Sequence, residues 1–248
     1  MNSFTIYIPT KKRSKSCYTA IELIENNVNF VLVVEKEDEE DYKQIFKDVE
    51  IIVLPDSNKG LSYARNFIKD YSISKNEKYH WQMDDDIKCF KKRENSKNVK
   101  ESPLYIINEV ENEIKRYSNV GVCGLRDSVF AWTQKEKISV NKLVASCYII
   151  NNDVDVKWSE NMIEDVDYCL QVLEKNKCTI IFNYLLYEKK SNNSIKGGQQ
   201  FFDYELLNIN LVNKYPDILK LRLDKKNNIK KVAPSKVWNN YKQKPELL

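Results

Sequence analysis

Along the first eighty residues, short apolar runs alternate with segments whose apolar positions recur every three or four residues. Phe4–Ile8, Phe30–Val34, Ile51–Leu54 and Tyr79–Met83 read as strands, and Tyr18–Glu25, Asp38–Phe46 and Leu61–Tyr71 as helices. Period-2 or continuous apolar runs separated by period-3.6 segments predict βαβ units and a parallel sheet. The polar stretch Lys88–Lys100 reads as a loop over the strand ends, and Pro103–Tyr117 as a helix. Val120–Cys123, Val129–Trp132 and Leu143–Ile150 predict strands of a second, mixed region. Ile163, Val166, Leu170 and Leu173 mark an amphipathic helix, Thr179–Phe182 and Tyr184–Tyr187 further strands, and Gln200–Asn213 a last helix. The simplest partition is one α/β domain over 1–215 with an extension over 216–248.

Composition narrows the chemistry. The 248 residues include 5 glycines and 1 histidine. A glycine-rich phosphate cradle needs clustered glycines, so dinucleotide-binding and P-loop readings fall. His80 alone cannot build a multi-histidine zinc site. The six cysteines form no CxxC pair and lie in apolar segments, as reduced core thiols do. No apolar run reaches the length of a membrane span, and the start does not read as a signal peptide, so a cytoplasmic location is expected. Net charge is +4. From Asp217 onward nine Lys/Arg stand against three acids, with Trp238 and Tyr241 among them. Such a tail suits either a phosphate backbone with stacked bases or a solvated lysine-rich surface.

Asp84-Asp85-Asp86, at the carboxyl end of a predicted strand, is the sharpest signal. Adjacent acids repel one another unless a cation or solvent relieves them, and ligands of open α/β sheets bind at that edge. Strand geometry sends Asp84 and Asp86 to one side and Asp85 to the other. The first two are therefore metal candidates, and Asp85 is a candidate to face a nucleotide. Glu164 and Asp165 open a predicted helix, where acids either favour the helix dipole or act as a general base. Pro9, Thr10 and Arg13 follow the first strand. Glu35 ends the second, as an acid that takes a ribose hydroxyl does. Asn58 and Gly60 lie in a turn, with Arg65 and Asn66 off the apolar face of the next helix. Arg65 suits a phosphate or the Asp cluster. Gly197 and Gly198 allow close backbone approach to a ligand, or simply end a loop.

The order IPT..R, V-V-E, LP..N.GLSYARN, W.MDDDI..F, W.....EDVD and a late GG resembles glycosyltransferases of the GT-A fold. More narrowly it resembles the TET-associated glycosyltransferase family of bacteriophages, over approximately residues 4–200. The resemblance implies a GT-A-like, Rossmann-related, mostly parallel sheet flanked by helices, with a smaller mixed acceptor-side region. It implies a nucleotide-sugar donor, a uridine diphosphate (UDP) sugar, with Mn²⁺ or Mg²⁺ on Asp84 and Asp86. Thr10, Arg13, Glu35, Asn58 and Arg65 would surround the nucleoside and phosphates. The acceptor would be a hydroxymethylated pyrimidine, such as 5-hydroxymethylcytosine, in phage DNA within the host cytoplasm. A late histidine, a metal ligand in many GT-A enzymes, is missing, leaving Asn193, Ser194 or water for that role.

The expected reaction is direct displacement with inversion. Asp165, with Glu164 as understudy, would accept the acceptor's proton, while the metal and Arg65 offset charge on the leaving diphosphate. Three alternatives compete: a polysaccharide- or protein-directed glycosyltransferase; a nuclease or nucleotidyltransferase using Asp84, Asp86 and Asp165; and a non-catalytic DNA-binding module.

Overall fold

β1 (Ile6–Pro9), α1 (Tyr18–Glu25), β2 (Val31–Val34), α2 (Glu39–Ile45), β3 (Glu50–Val53), α3 (Leu61–Ser74) and β4 (Tyr79–Met83) succeed one another in the computed structural model. It describes residues 2–190, 203–223, 229–232 and 234–248. These strands pair in parallel in the order β3-β2-β1-β4. Their carboxyl ends, including Pro9 and Met83, therefore share one edge. Strand alternation divides the core: Ile6, Ile8, Trp81 and Met83 face one buried cluster, whereas Tyr7 packs with Val31, Val33, Ala64 and Ile68 beneath α3.

The second half makes the sheet mixed rather than mostly parallel. After β5 (Ile87–Glu94), β6 (Lys97–Lys100) and α4 (Pro103–Ile114) come β7 (Val120–Asp127), β8 (Ile138–Val140), β9 (Cys147–Asn151), α5 (Glu164–Glu174) and β10 (Cys178–Lys189). β9 runs antiparallel between β4 and β7, so β7 ends at the same edge as β4. β10 is parallel to β7, and its latter part pairs antiparallel with β5. A Cβ on Gly124 would stand 2.5 Å from the Cys147 carbonyl oxygen, so this glycine permits close strand contact rather than ligand access.

Three expectations are corrected. Lys88–Lys100 is a hairpin, β5–β6, whose polar sequence reflects an exposed edge strand. Val129–Trp132 lies in a 3-10 turn, Ser128–Thr133, because the Asp127 carboxylate accepts the Val129 N–H and stops β7. The two late strands are one, β10, with a register shift between Phe182 and Leu186. α6 (Tyr204–Lys214) follows, then the hairpin of β11 (Leu221–Leu223) and β12 (Ile229–Val232). Leu219, Val237 and Trp238 pack into the cluster beneath α5 and α6. Trp238 is buried, so it offers no free ring face for base stacking, and Tyr241 is partly buried against the same cluster. No described helix is long and apolar enough to cross a membrane.

Candidate active site

The Asp84–Asp86 turn leaves β4 at the shared edge, and its three side chains take two directions. Asp85 is buried and turns toward the β1 loop. There it accepts a hydrogen bond from the Thr10 hydroxyl at 2.7 Å and pairs with Arg13. Thr10 lies 2.6 Å from the Tyr42 hydroxyl, which also accepts the Arg13 N–H at 3.1 Å. Burial raises the Asp85 carboxyl against the lowering pull of Arg13. With both oxygens engaged, Asp85 ties the loop after Pro9 to Arg13. The Arg13 Nε is buried without a partner.

Asp84 and Asp86 converge on the Lys189 ammonium, a residue that sequence reasoning missed. Nζ stands 2.9 Å from Asp84 Oδ2, 3.0 Å from Asp86 Oδ1 and 3.3 Å from the Ser146 hydroxyl. Strand register puts it there, since Lys189 pairs with Ile87, one residue beyond Asp86. Burial works against ionisation of Asp84, but Lys189 and Arg65 outweigh it and hold this carboxyl low. Burial, and then the charge of Asp84, push Asp86 up to about 6.

Arg65 joins this pair to α5. Its guanidinium bonds Asp84 at 3.0 Å and Asp165, and lies over the Tyr148 and Trp158 rings. Only 2% of its side chain is exposed, and both terminal nitrogens are spent on carboxylates. Of the two readings for Arg65, a phosphate or the Asp cluster, the structure shows the pairing with Asp84 of that cluster, and adds Asp165. Asp165 also accepts from the Tyr148 hydroxyl at 3.4 Å. Glu164 is partly exposed, and no described side chain pairs with it. Burial, then the neighbouring Asp165 charge, raise it to about 7. Burial raises Asp165 as well, against the lowering pull of Arg65, so Glu164 differs from it in lacking a described side-chain partner. Asp167, the third acid of this helix start, is structural: it accepts bonds from Lys214, Tyr215 and Gln171.

The other expected contacts divide similarly. Glu35 is buried, accepts the Asn58 N–H at 2.9 Å and pairs with Lys11 at 2.6 Å. It braces the Asn58 turn, where Gly60 adopts a φ of 87° ahead of α3. The Asn66 side chain both donates to and accepts from the Trp158 backbone, at 2.8 and 2.9 Å, and so clamps the chain before α5. Gly197, Gly198, Asn193 and Ser194 lie outside the described residues. A cavity of about 300 Å³ lined by Ile73, Asn76, Glu77, Lys78, Asn152 and Asp153 opens at the opposite, amino end of β4, away from these acids.

The donor set suits a hard divalent ion in part. Asp84 and Asp86 face one point, and the buried Asp86 Oδ1 has no directed hydrogen bond, only the charge contact with Lys189. Among the described residues no three His, Cys, Asp or Glu gather as metal ligands. A divalent ion would therefore be held by Asp84 and Asp86 in exchange for Lys189, with its remaining ligands from donor and water.

The sequence matches the family described as TET-Associated Glycosyltransferase over residues 4–198. No curated protein matches it. Among solved structures, one described as a nucleotide-diphospho-sugar transferase from Desulfovibrio desulfuricans G20 aligns with a TM-score of 0.47 and 8% identity, covering 87% of this chain and 99% of that one. GalNAc-T7, solved with UDP, GalNAc and Mn²⁺, aligns with a TM-score of 0.51 and 8% identity over 76% of this chain. The alignment spans only 44% of GalNAc-T7, and the likeness is one of fold: an α/β architecture of the GT-A nucleotide-sugar transferase kind.

Proposed function

This chain belongs to the TET-associated glycosyltransferase family, and from that membership we propose that it moves a sugar from a UDP-sugar donor to the hydroxyl of a 5-hydroxymethylpyrimidine in DNA. That it is a glycosyltransferase follows from the family; the donor, the acceptor and the roles below are our reading. The observation that carries it is the meeting of Asp84, Asp86, Arg65, Lys189, Asp165 and Glu164 at the carboxyl edge of the parallel strands. That is where an open α/β sheet binds a nucleotide.

The acceptor oxygen attacks the anomeric carbon while the bond from that carbon to the diphosphate oxygen breaks, inverting the centre. Glu164 takes the hydroxyl proton; at about 7 its affinity for a proton is matched to this task near neutral pH. Arg65 holds Asp165 and Asp84 in fixed orientation, so the carboxylates do not rearrange as charge develops. Lys189 and Arg13, each partly exposed, oppose the charge on the leaving diphosphate. Asp84 and Asp86 would hold Mn²⁺ or Mg²⁺, which when bound supplies Lewis-acid stabilisation of that leaving group. GalNAc-T7, which was solved with UDP and Mn²⁺ and shares the fold, supports this pairing of donor and metal.

The test offers the protein a panel of nucleotide sugars with hydroxymethylated or ordinary DNA, and reads the products by nucleoside mass spectrometry. The expected product is a glycosylated hydroxymethylpyrimidine formed from a UDP-sugar. Transfer to a polysaccharide or protein with none to DNA would refute the acceptor assignment, and cleavage of DNA would favour nuclease chemistry.

A further inference from the structure

Two aromatic rings stand out from the protein beside the candidate active site, and nothing in the donor chemistry uses them. Phe130 and Trp132 are 57% and 75% exposed, with Val129 at 58%, on the turn Ser128–Thr133. Ser128 and Ala131 of the same turn are buried, so it is anchored at its base. Its outer face is fixed as well. Asp127 accepts the Val129 N–H, the Trp132 Nε1–H donates to the Val129 carbonyl at 2.9 Å, and the Thr133 hydroxyl donates to the Phe130 carbonyl at 2.7 Å. Large apolar rings grouped on a braced, solvent-facing turn mark an interaction surface.

The charge beside them indicates the partner. The turn is tied to the β5–β6 hairpin by the Asn98 amide, which donates to the Ser128 carbonyl at 3.2 Å. That hairpin carries Lys88, Lys91, Lys92, Arg93, Lys97 and Lys100 against Glu94 alone. Glu188 offsets Lys88 and Lys91, Glu94 pairs with Lys92, and Glu22 pairs with Lys100 at 3.6 Å, which leaves Arg93 and Lys97. Arg93 bonds only the neutral Asn98, and β6 is exposed throughout, so a positive excess faces solvent at the outer end. Both features connect to the carboxylate edge, the turn nearer to it and Arg93 about 20 Å along β5 from it. β5 begins at Ile87, directly after Asp86, and Asp127 pairs across the sheet with Tyr187, two residues from Lys189. Adjacent strands lie about 4.8 Å apart, so the turn sits within roughly 10–15 Å of the Asp84/Asp86 pair.

We propose that the Ser128–Thr133 turn and the β5–β6 hairpin form the surface that docks double-stranded DNA, with Arg93 and Lys97 on the phosphates and Phe130 and Trp132 against the exposed base or the gap it leaves. This rests on the reading that the acceptor is a base in DNA. A hydroxymethyl group inside a duplex is reached by unstacking its base, and aromatic wedges hold such a distortion open. Aromatic rings also stack on sugars, but a cationic hairpin gains nothing from a neutral glycan, whereas it releases counterions from DNA.

The experiment is fluorescence anisotropy of the full chain with a labelled hydroxymethylated duplex, without donor, across a range of salt. Circular dichroism confirms the fold of each variant. The double variant Phe130→Ala/Trp132→Ala should bind at least tenfold more weakly with an unchanged salt slope, because stacking is not ionic. The variant Arg93→Gln/Lys97→Gln should lower the slope of log K against log salt by about 2, roughly one for each phosphate left without its cation. Unchanged DNA affinity in both variants overturns the proposal, as does Trp132-dependent binding of an oligosaccharide in place of DNA. UDP-sugar hydrolysis without acceptor separates the two layers. If the base is glycosylated while both variants bind as wild type does, this surface is wrong and the function stands. If wild type hydrolyses donor but neither binds nor modifies DNA, both fall.

Discussion

Lys189→Met tests whether the ammonium is the cation that the acid pair is built around. The substitution keeps side-chain length and removes the charge 2.9 Å from Asp84 and 3.0 Å from Asp86. Removing one partner of a buried ion pair costs about 3–5 kcal/mol, because the other charge is left uncompensated. Lys189 is 28% exposed, so the lower end, about 3 kcal/mol at neutral pH, is expected. Asp86 sets the sign of the pH dependence. Its folded value, about 6, already lies above its ordinary value, and loss of Lys189 raises it further. A carboxyl raised by folding destabilises as pH rises through its folded value, so the Asp86 part of the penalty should shrink on acidification from neutral pH and be gone below about 6. If a divalent ion competes for the same point, the variant should bind Mn²⁺ in the absence of donor. Ligand at a hundredfold excess over its dissociation constant restores about 2.7 kcal/mol. Thermal denaturation with and without chelator reads the stability, and the disappearance of the free-Mn²⁺ paramagnetic resonance signal reads the binding. A Lys189→Met protein that melts with wild type and leaves the Mn²⁺ signal untouched would refute the shared site.

Glu164→Gln should lower kcat by about 10²- to 10⁴-fold while leaving UDP-sugar affinity intact, as isothermal calorimetry would measure. Wild-type kcat should fall about tenfold per unit as pH drops below about 7, where Glu164 protonates, and this limb should be absent in the variant. Asp165→Asn should keep the limb while losing stability, since its carboxylate anchors the buried Arg65. Gly124→Ala drives a Cβ to 2.5 Å from the Cys147 carbonyl oxygen and should cost about 1–3 kcal/mol in urea unfolding, with no change in donor affinity.

The fold of the first half was legible because its signals are local. Buried strands of four or five residues end in polar ones, and the end of β4 is the acid run itself. What the sequence hid depends on pairings between distant segments. Lys189 is one of many lysines until β10 pairs with β5 and brings it beside Asp86, about a hundred residues earlier. Arg65 pairs with Asp84 of the Asp cluster, as one of its two readings had it, but its second partner, Asp165, lies 100 residues further on and was not legible.

Two misreadings share a cause, and together they relocate the acceptor side. Val129-Phe-Ala-Trp132 has the composition of a buried strand, and Trp238 amid lysines has that of a solvated tail, yet their burial is reversed. Residue type gives the free energy available from burial; the backbone decides whether a partner surface is there to realise it. Asp127 ends β7 one residue before the turn, so those rings emerge past the sheet edge, where no described helix covers them. Trp238 is instead carried back against Leu211, Tyr215 and Leu219, covering a face that α5 and α6 leave open. Hence the basic tail presents no free indole for stacking, while the exposed rings lie at the edge that holds Asp84, Asp86 and Glu164. Under the proposed docking, DNA would reach the acid cluster past Phe130 and Trp132.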